Sequence, residues 1–365
     1  MVRPKHGKLD RVLLFTAFLI ALIGVLSVYS ATWDKAAKPG ELDPLVIRQI
    51  IWVLIGGFFL LVFSNISYLK ILDFAYILYG LNLLALLFLL IFGGERYGAK
   101  RWIDFGPFSL QPSEFVKLTT ILALAAFLGE RREKIKNLSS FIGGLLIIAP
   151  AGLLIFLQPD LGTAFIFVPV FFAVMYICGG NVKHIMVTLI SGLVSMPIFW
   201  HFLKDYQKSR LMVFINPNVD PLGAGYTIIQ SKIAVGSGGF IGKGWLNGTQ
   251  SHLKFLPEKH TDFIFSVIGE EWGFVGGLIL IGVYMALVIR GMKIISDVSD
   301  IYGKAIATGI VTLIAFQMFT NISMTIGIMP VVGLPLPAIS YGGSNTLMFL
   351  INVGILLSIS RRTNL

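Results

Sequence analysis

The residues with the least expected chemistry in this chain lie in and beside apolar runs. Asp262 closes the triplet His260-Thr261-Asp262, directly ahead of Phe263, Ile264 and Phe265. A carboxylate there can accept a proton from an attacking hydroxyl. It is also a good helix N-cap. Glu270 and Glu271 follow, roughly 12–14 Å further along a helix that rises about 1.5 Å per residue. Ionisable groups at that depth of a membrane span face a cavity or a partner. They are either functional or buried structural acids, paired to Lys or Arg or held protonated. His260 and Asp262 are two apart and share no helix face, and no metal-ligand spacing stands out.

Further polar pieces accompany them. Glu114 and Lys117 sit one turn apart on the same face of an apolar run opened by Pro112 and Ser113. Ser113 suits an N-cap and Glu114 suits the helix dipole, whereas Lys117 opposes it, so capping with ion pairing and a functional site both stay open. Asp160 lies in LQPDLGTAF (157–165), where turn chemistry alone accounts for it. The run Gly236, Gly238, Gly239, Gly242, Gly244, Gly248 is no nucleotide motif, because Ser237 and Ile241 stand where glycine is needed and no strand precedes it. It reads as a mobile loop, or as backbone N–H groups able to approach an anion. YTIIQSKIAV (226–235) has the apolar stripe of an amphipathic helix lying at the interface. PVVGLPLPAISYGGSN (330–345) reads as a rigid turn or as a lip over an outer cavity.

The elements that must position these residues are membrane helices. The 365 residues are 56% hydrophobic and 13% charged, with a mean hydropathy of +0.82. A soluble domain carries about twice that charged share. The lone Cys178 excludes an internal disulfide framework. Apolar runs of about 20 residues mark ten spans near 12–32, 47–65, 74–94, 113–129, 139–157, 161–178, 184–203, 263–289, 304–328 and 341–360. The first is long enough to span and is no cleavable signal. The expected fold is therefore an all-α polytopic membrane protein, residues 1–365 forming a single membrane domain. A large loop, 204–262, joins helices seven and eight.

Fifteen Lys and Arg fall in the N-terminus, the tail and the loops of one face. That face is cytoplasmic by the positive-inside rule, with both termini inside. The net charge of +10 follows from these loops more simply than from nucleic acid. Nearly every unusual polar residue then falls on or just below the outer face. There the acids Glu114, Asp160 and Asp262 accompany the cations Arg101, Lys117, Arg210 and Lys232. The residues alone reach an outer-face enzyme or transporter handling an amphiphilic anion, and no further.

At these positions the chain resembles the SEDS family (shape, elongation, division and sporulation proteins), on its RodA-like elongation side. RWIDFGPFSLQPSEFVKL (101–118), QPDLGTA (158–164), GTQSHLKFLPEKHTDFIFSVIGEEWGFVG (248–276) and GLPLPAISYGGSN (333–345) match it in the family's order. The resemblance covers essentially the whole chain, and Ser344-Asn345, where the family often has Ser-Ser, is a minor departure. It implies ten helices in the bacterial cytoplasmic membrane. It also implies a peptidoglycan glycosyltransferase that polymerises lipid II on the outer face, beside a class B penicillin-binding protein and other cell-elongation proteins. Asp262 falls at the family's essential aspartate, Glu114 and Lys117 at its Glu-x-x-Lys pair, Asp160 at its QPDLG acid, and Trp102 at an outer-loop residue tied to activity.

On that basis Asp262 is expected as the base, with Lys117, Arg210 and a divalent cation (Mg or Mn, ligands unnamed) neutralising the leaving pyrophosphate. Glu114 would orient Lys117. Arg101, Arg210 and Lys232 enter from position and charge alone. A lipid II flippase and a non-catalytic scaffold for the penicillin-binding protein are the competing readings, and Glu270 and Glu271 have no assigned role.

Overall fold

The helices begin where short polar residues can cap them. Asp10 accepts from the N–H groups of Val12 and Leu13, Asp43 from Leu45, Asp160 from Thr163, Asn181 from Lys183 and Asp300 from Gly303. Each satisfies a donor that the first turn leaves without an intrahelical partner. A computed structural model describes residues 9–33, 42–94, 101–106, 108–203, 205–221, 223–252 and 255–363. Arg3, Lys5 and Lys8, which contributed to the orientation argument, lie outside the described residues.

The long helices are α1 (Arg11–Thr32), α2 (Pro44–Asn65), α3 (Ala75–Phe92), α4 (Pro112–Glu130), α5 (Leu138–Leu157), α6 (Leu161–Ile177), α7 (Val182–Phe202), α8 (Ile264–Asp297), α9 (Ile301–Thr325) and α10 (Gly343–Thr363). Each apolar run read from the sequence is one of these helices. Eight of them are long and apolar enough to cross a membrane; Leu161–Ile177 and the stretch Val182–Ile198 of α7 are apolar but shorter. Between α7 and α8 lie the short helices Asp205–Ile215, Ala224–Ser237 and Thr249–His252. The second contains the amphipathic stretch expected there. The architecture is all-helical apart from a small antiparallel hairpin ahead of α4, β1 (Ile103–Phe105) and β2 (Phe108–Leu110), with Asp104 opposite Ser109.

Burial ranks the helices. The apolar windows of α10, α4 and α9 are 94%, 83% and 78% buried, against 17% for α3, so these three form the hub. α4 packs on α3 and α9, α10 on α2, and α8 on α1 and α9. The outward faces stay apolar: Leu84, Phe88 and Phe92 on α3 and Val187, Leu193 and Val194 on α7 are exposed. Lipid tails are as apolar as these side chains, so such surfaces cost nothing in a bilayer.

α8 is not one continuous rod. Gly273 has φ 66° and ψ −163°, outside the helical region, and splits it into an outer and an inner piece. The glycine-rich run fills the gap. Lys243 N and Gly244 N donate to the carbonyls of Glu270 and Glu271 (3.0 Å each), while Phe274 N and Val275 N donate to Gly239 O and Phe240 O (3.0 and 3.1 Å). The run is therefore a docked backbone insert rather than the mobile loop expected from its composition. A backbone break at membrane depth survives only when its freed groups find such partners.

Only glycine adopts the Gly273 conformation readily, and a Cβ there would stand 2.4 Å from Gly242 N. Gly273→Ala is expected to destabilise the protein by at least about 1–3 kcal/mol. In detergent its thermal unfolding midpoint should fall clearly, whereas Gly282→Ala, with nothing within 4 Å of the added carbon, should leave it unchanged.

Candidate functional site

The turn before α8 hangs from the segment 330–341. Asn321, fully buried on α9, donates its Nδ2 to Asp262 O (2.9 Å) and to Leu334 O (2.8 Å). Ser340 Oγ donates to Thr261 O (2.6 Å) and accepts from Leu336 N (2.8 Å), and Tyr341 N donates to His260 O (2.8 Å). The segment, hereafter the lip, is an ordered, rigid stretch, and the backbone on either side of Asp262 is fixed to it. Gly333, at φ +72°, lies beneath the carboxylate, and a Cβ added there would come 3.5 Å from Asp262 Oδ2.

The Asp262 side chain does not cap α8. The capping position belongs to Phe263, and no side-chain cap bond is made. Instead the half-buried carboxyl is pushed up to about 6, chiefly by burial and then by the nearby charge of Glu258. Arg210 opposes that shift, Asp160 adds to it and Arg101 opposes it. These groups therefore surround one mouth.

Arg101 is anchored to the turn between α5 and α6. Its Nε donates to Gln158 O (2.9 Å), its guanidinium also donates to Pro159 O, and it pairs with Asp160 Oδ2 at 3.4 Å. That turn is held in place by Gln158 Nε2 donating to Leu86 O (2.8 Å). Arg210 reaches the lip, with a long bond to Val331 O (3.4 Å). Asp262, Asp160, Arg101 and Arg210 are brought together as the sequence suggested.

Others are placed differently. Glu114 and Lys117 form an ion pair at 2.7 Å with side chains only 4% and 2% exposed. The pair lines a small cavity with Gln317, Pro337, Asn345 and Asn352, with room for about one water. The pair shares this cavity with Pro337 of the segment 330–341, and its buried charges are satisfied by each other. Lys232 is exposed and rests against Gly327, just past the C-terminal end of α9, where a cation suits the helix dipole. Trp102 is half-buried beside Arg101.

Asn321 and Ser340, which place Asp262, were missed by sequence reasoning. The available signal was an asparagine inside the otherwise apolar run of α9. Among the described residues, no three His, Cys, Asp or Glu side chains converge on a point. The described residues therefore offer a divalent cation no preformed ligand set.

Comparison with known proteins gives a consistent picture. Residues 10–365 match the profile of the FTSW_RODA_SPOVE family, described as cell cycle proteins. The peptidoglycan glycosyltransferase MrdB of Escherichia coli K12 is 40% identical over 353 residues, 96% of this chain and 94% of that protein. A chain from a solved peptidoglycan synthase complex, described as coordinating polymerization and crosslinking, superimposes with a TM-score of 0.82 at 32% identity, covering 97% of this chain and 98% of that one. The crystal structure of the rod shape determining protein RodA of Thermus thermophilus gives 0.71 at 28% identity, covering 97% of each chain.

The raised pKa of Asp262 makes stability depend on pH. An aspartate with a folded value of about 6 and an unfolded value of about 3.9 is protonated more readily in the native state. Its ionisation costs stability as pH rises through that window. Asp262→Asn, permanently neutral, should therefore melt at or above the wild-type temperature at pH 7.5, and the difference should vanish near pH 4. Thermal unfolding across that pH range checks this.

Proposed function

The chain belongs to the FTSW_RODA_SPOVE family of cell cycle proteins, and from that membership and the site geometry we propose that it is a peptidoglycan glycosyltransferase. It polymerises lipid II into β-1,4-linked glycan on the outer face of the bacterial cytoplasmic membrane during cell elongation. We read α6 and α7 as completing ten spans with the eight long apolar helices, which leaves both termini on one side; the Lys and Arg of the short loops on that side argue for the cytoplasm, with the segment 204–262 outside. A class B penicillin-binding protein is its cross-linking partner, a reading supported by the similarity to a chain of a synthase complex.

The observation that carries the mechanism is a half-buried carboxylate, Asp262, held by its backbone to the lip and faced by Arg210 and Arg101. The 4-hydroxyl of the acceptor's GlcNAc attacks the anomeric carbon of the donor's lipid-linked MurNAc. Asp262 takes the hydroxyl proton as the new C–O bond forms. The bond to the pyrophosphate breaks with inversion, and undecaprenyl pyrophosphate leaves with the electron pair. With a value of about 6, Asp262 is roughly nine-tenths ionised at pH 7 and is a stronger base than an ordinary aspartate. Arg210 and Arg101 stabilise the charge that develops on the pyrophosphate. Glu114 and Lys117 line the small cavity beside Pro337 as an ion pair, and Trp102, Asp160 and Lys232 border the outer segments.

Lipid II polymerisation by the purified protein with its partner tests this reading. Asp262→Ala should lose about 10²–10⁴ in rate while eluting as a folded protein. The wild-type rate should fall as pH drops through about 6, because the base acts only when ionised. Equal polymer from wild type and Asp262→Ala would remove the aspartate from the chemistry. No polymer from either, together with retained binding of the partner, would favour a scaffold, and lipid II flipping would favour a transporter.

A further inference from the structure

Glu270 and Glu271 take no part in the reaction just described, yet they are 0% and 2% exposed. Their partners account for them. Glu270 Oε1 accepts from Lys243 Nζ (2.7 Å), Thr249 N (2.7 Å), Gln250 N (2.9 Å) and Thr249 Oγ1 (3.0 Å). Glu271 accepts from Ser30 Oγ on α1 at 2.5 and 2.6 Å. One acid thus gathers the outer segment 243–250 and the other ties α8 to α1.

Both acids sit at the inner end of the outer piece of α8, immediately before the break at Gly273. That piece runs from Ile264 to Trp272, and Asp262 precedes its start. Because the chain is not helical at Gly273, the inner piece does not fix the direction of the outer one. Its direction is fixed by packing along its length, where Ser266 hydrogen-bonds Ser231 (2.7 Å), and by what grips its two ends. At the top these are Asn321, Ser340 and Tyr341, through the lip. At the bottom they are the backbone insert 239–244, the Glu270 contacts and the Glu271–Ser30 bond. Asp262 lies about 12 Å from Glu270 at 1.5 Å per residue, so a small tilt at the lower grip displaces the carboxylate by a comparable fraction of an ångström or more.

We propose that Glu270 is a positioning residue: by latching Lys243, Thr249 and Gln250 it fixes the outer piece of α8 and, with it, the aim of Asp262. Charge-assisted bonds in a dry setting are strong and directional, which suits such a latch. Lys243 carries the matching half. The same contacts make the segment 243–250 and the aspartate one mechanical unit, so displacement of that outer segment would be felt at the base.

The proposal rests on the glycosyltransferase reading for its kinetic consequence but not for its structural one, and the two are tested separately. Hydrogen exchange compares wild type with Glu270→Ala and with Glu270→Gln, which keeps an oxygen for the Thr249 and Gln250 N–H groups. Glu270→Ala should speed exchange at least about tenfold across 264–272 and 249–250, leave 280–295 unchanged, and be partly rescued in Glu270→Gln. Unchanged exchange in the outer piece, or equal acceleration throughout α8, would overturn the latch whatever the enzyme does. In polymerisation, Glu270→Ala should lower kcat by about 10- to 100-fold with KM for lipid II within about twofold, and Glu270→Gln should fall between it and wild type. A wild-type kcat in Glu270→Ala, or a loss confined to KM, would overturn the positioning role. A wild type that makes no polymer, alongside the expected exchange pattern, would instead count against the glycosyltransferase reading.

Discussion

Inside a bilayer, a backbone amide that leaves its helix has no water to turn to, and each one left alone costs several kcal/mol. This chain departs from regular helix at two places near its chemistry. At Gly273 the freed groups of α8 are met by the docked run 239–244. At the lip, the carbonyls of His260, Thr261, Asp262, Leu334 and Leu336 are met by Tyr341 N, Ser340 Oγ and the amides of Asn321 and Asn345. The bonds that remove these costs also hold Asp262 where it stands. Stability and site geometry therefore have one cause, and irregular backbone is tolerated here because it is fully engaged.

Charge is distributed by the same logic. The two acids deepest in the outer piece of α8 are enclosed by donors, and the Glu114–Lys117 pair closes on itself beside Pro337. Breaking any of these pairs would strand a charge in a poor solvent. Asp262 is treated differently: burial and Glu258 disfavour its ionised form, while two arginines favour it. A carboxylate held in that balance stays ionised at neutral pH yet is more basic than usual, which suits an acceptor of a sugar hydroxyl's proton. Its place is at the end of the helix bundle, just ahead of α8, rather than mid-membrane.

The helices were legible in the sequence because lipid imposes a simple rule. Runs of about 20 apolar residues, bounded by Asp, Asn and Pro, could be little else, and each run marked is a helix within a few residues, except that α8 continues to Asp297, eight residues past the expected end. That Asp262, Asp160, Arg101 and Arg210 lie near one another was also expected, since alternating spans put the segments that carry all four at the same end of the helices. Composition misled where an intrinsic preference was overruled by tertiary contact. Six glycines in thirteen residues (236–248) suggest flexibility, yet glycine is equally what permits backbone to dock against backbone, as at Gly242 against the Glu271 carbonyl.

What the sequence settled by itself was therefore the solvent and the elements: a helical membrane protein with a carboxylate and cations in the segments between its helices. Tertiary structure decided which of those charges act together. Asp262 reads as a helix cap in one dimension, and only the fold assigns that position to Phe263 and hands the aspartate's backbone to Asn321, 59 residues away. Lys117 reads as a cation available to substrate, and only packing shows it enclosed with Glu114. The reason is the same for both. A side chain's type and local spacing are written in the sequence, but its exposure and its partners depend on residues distant along the chain.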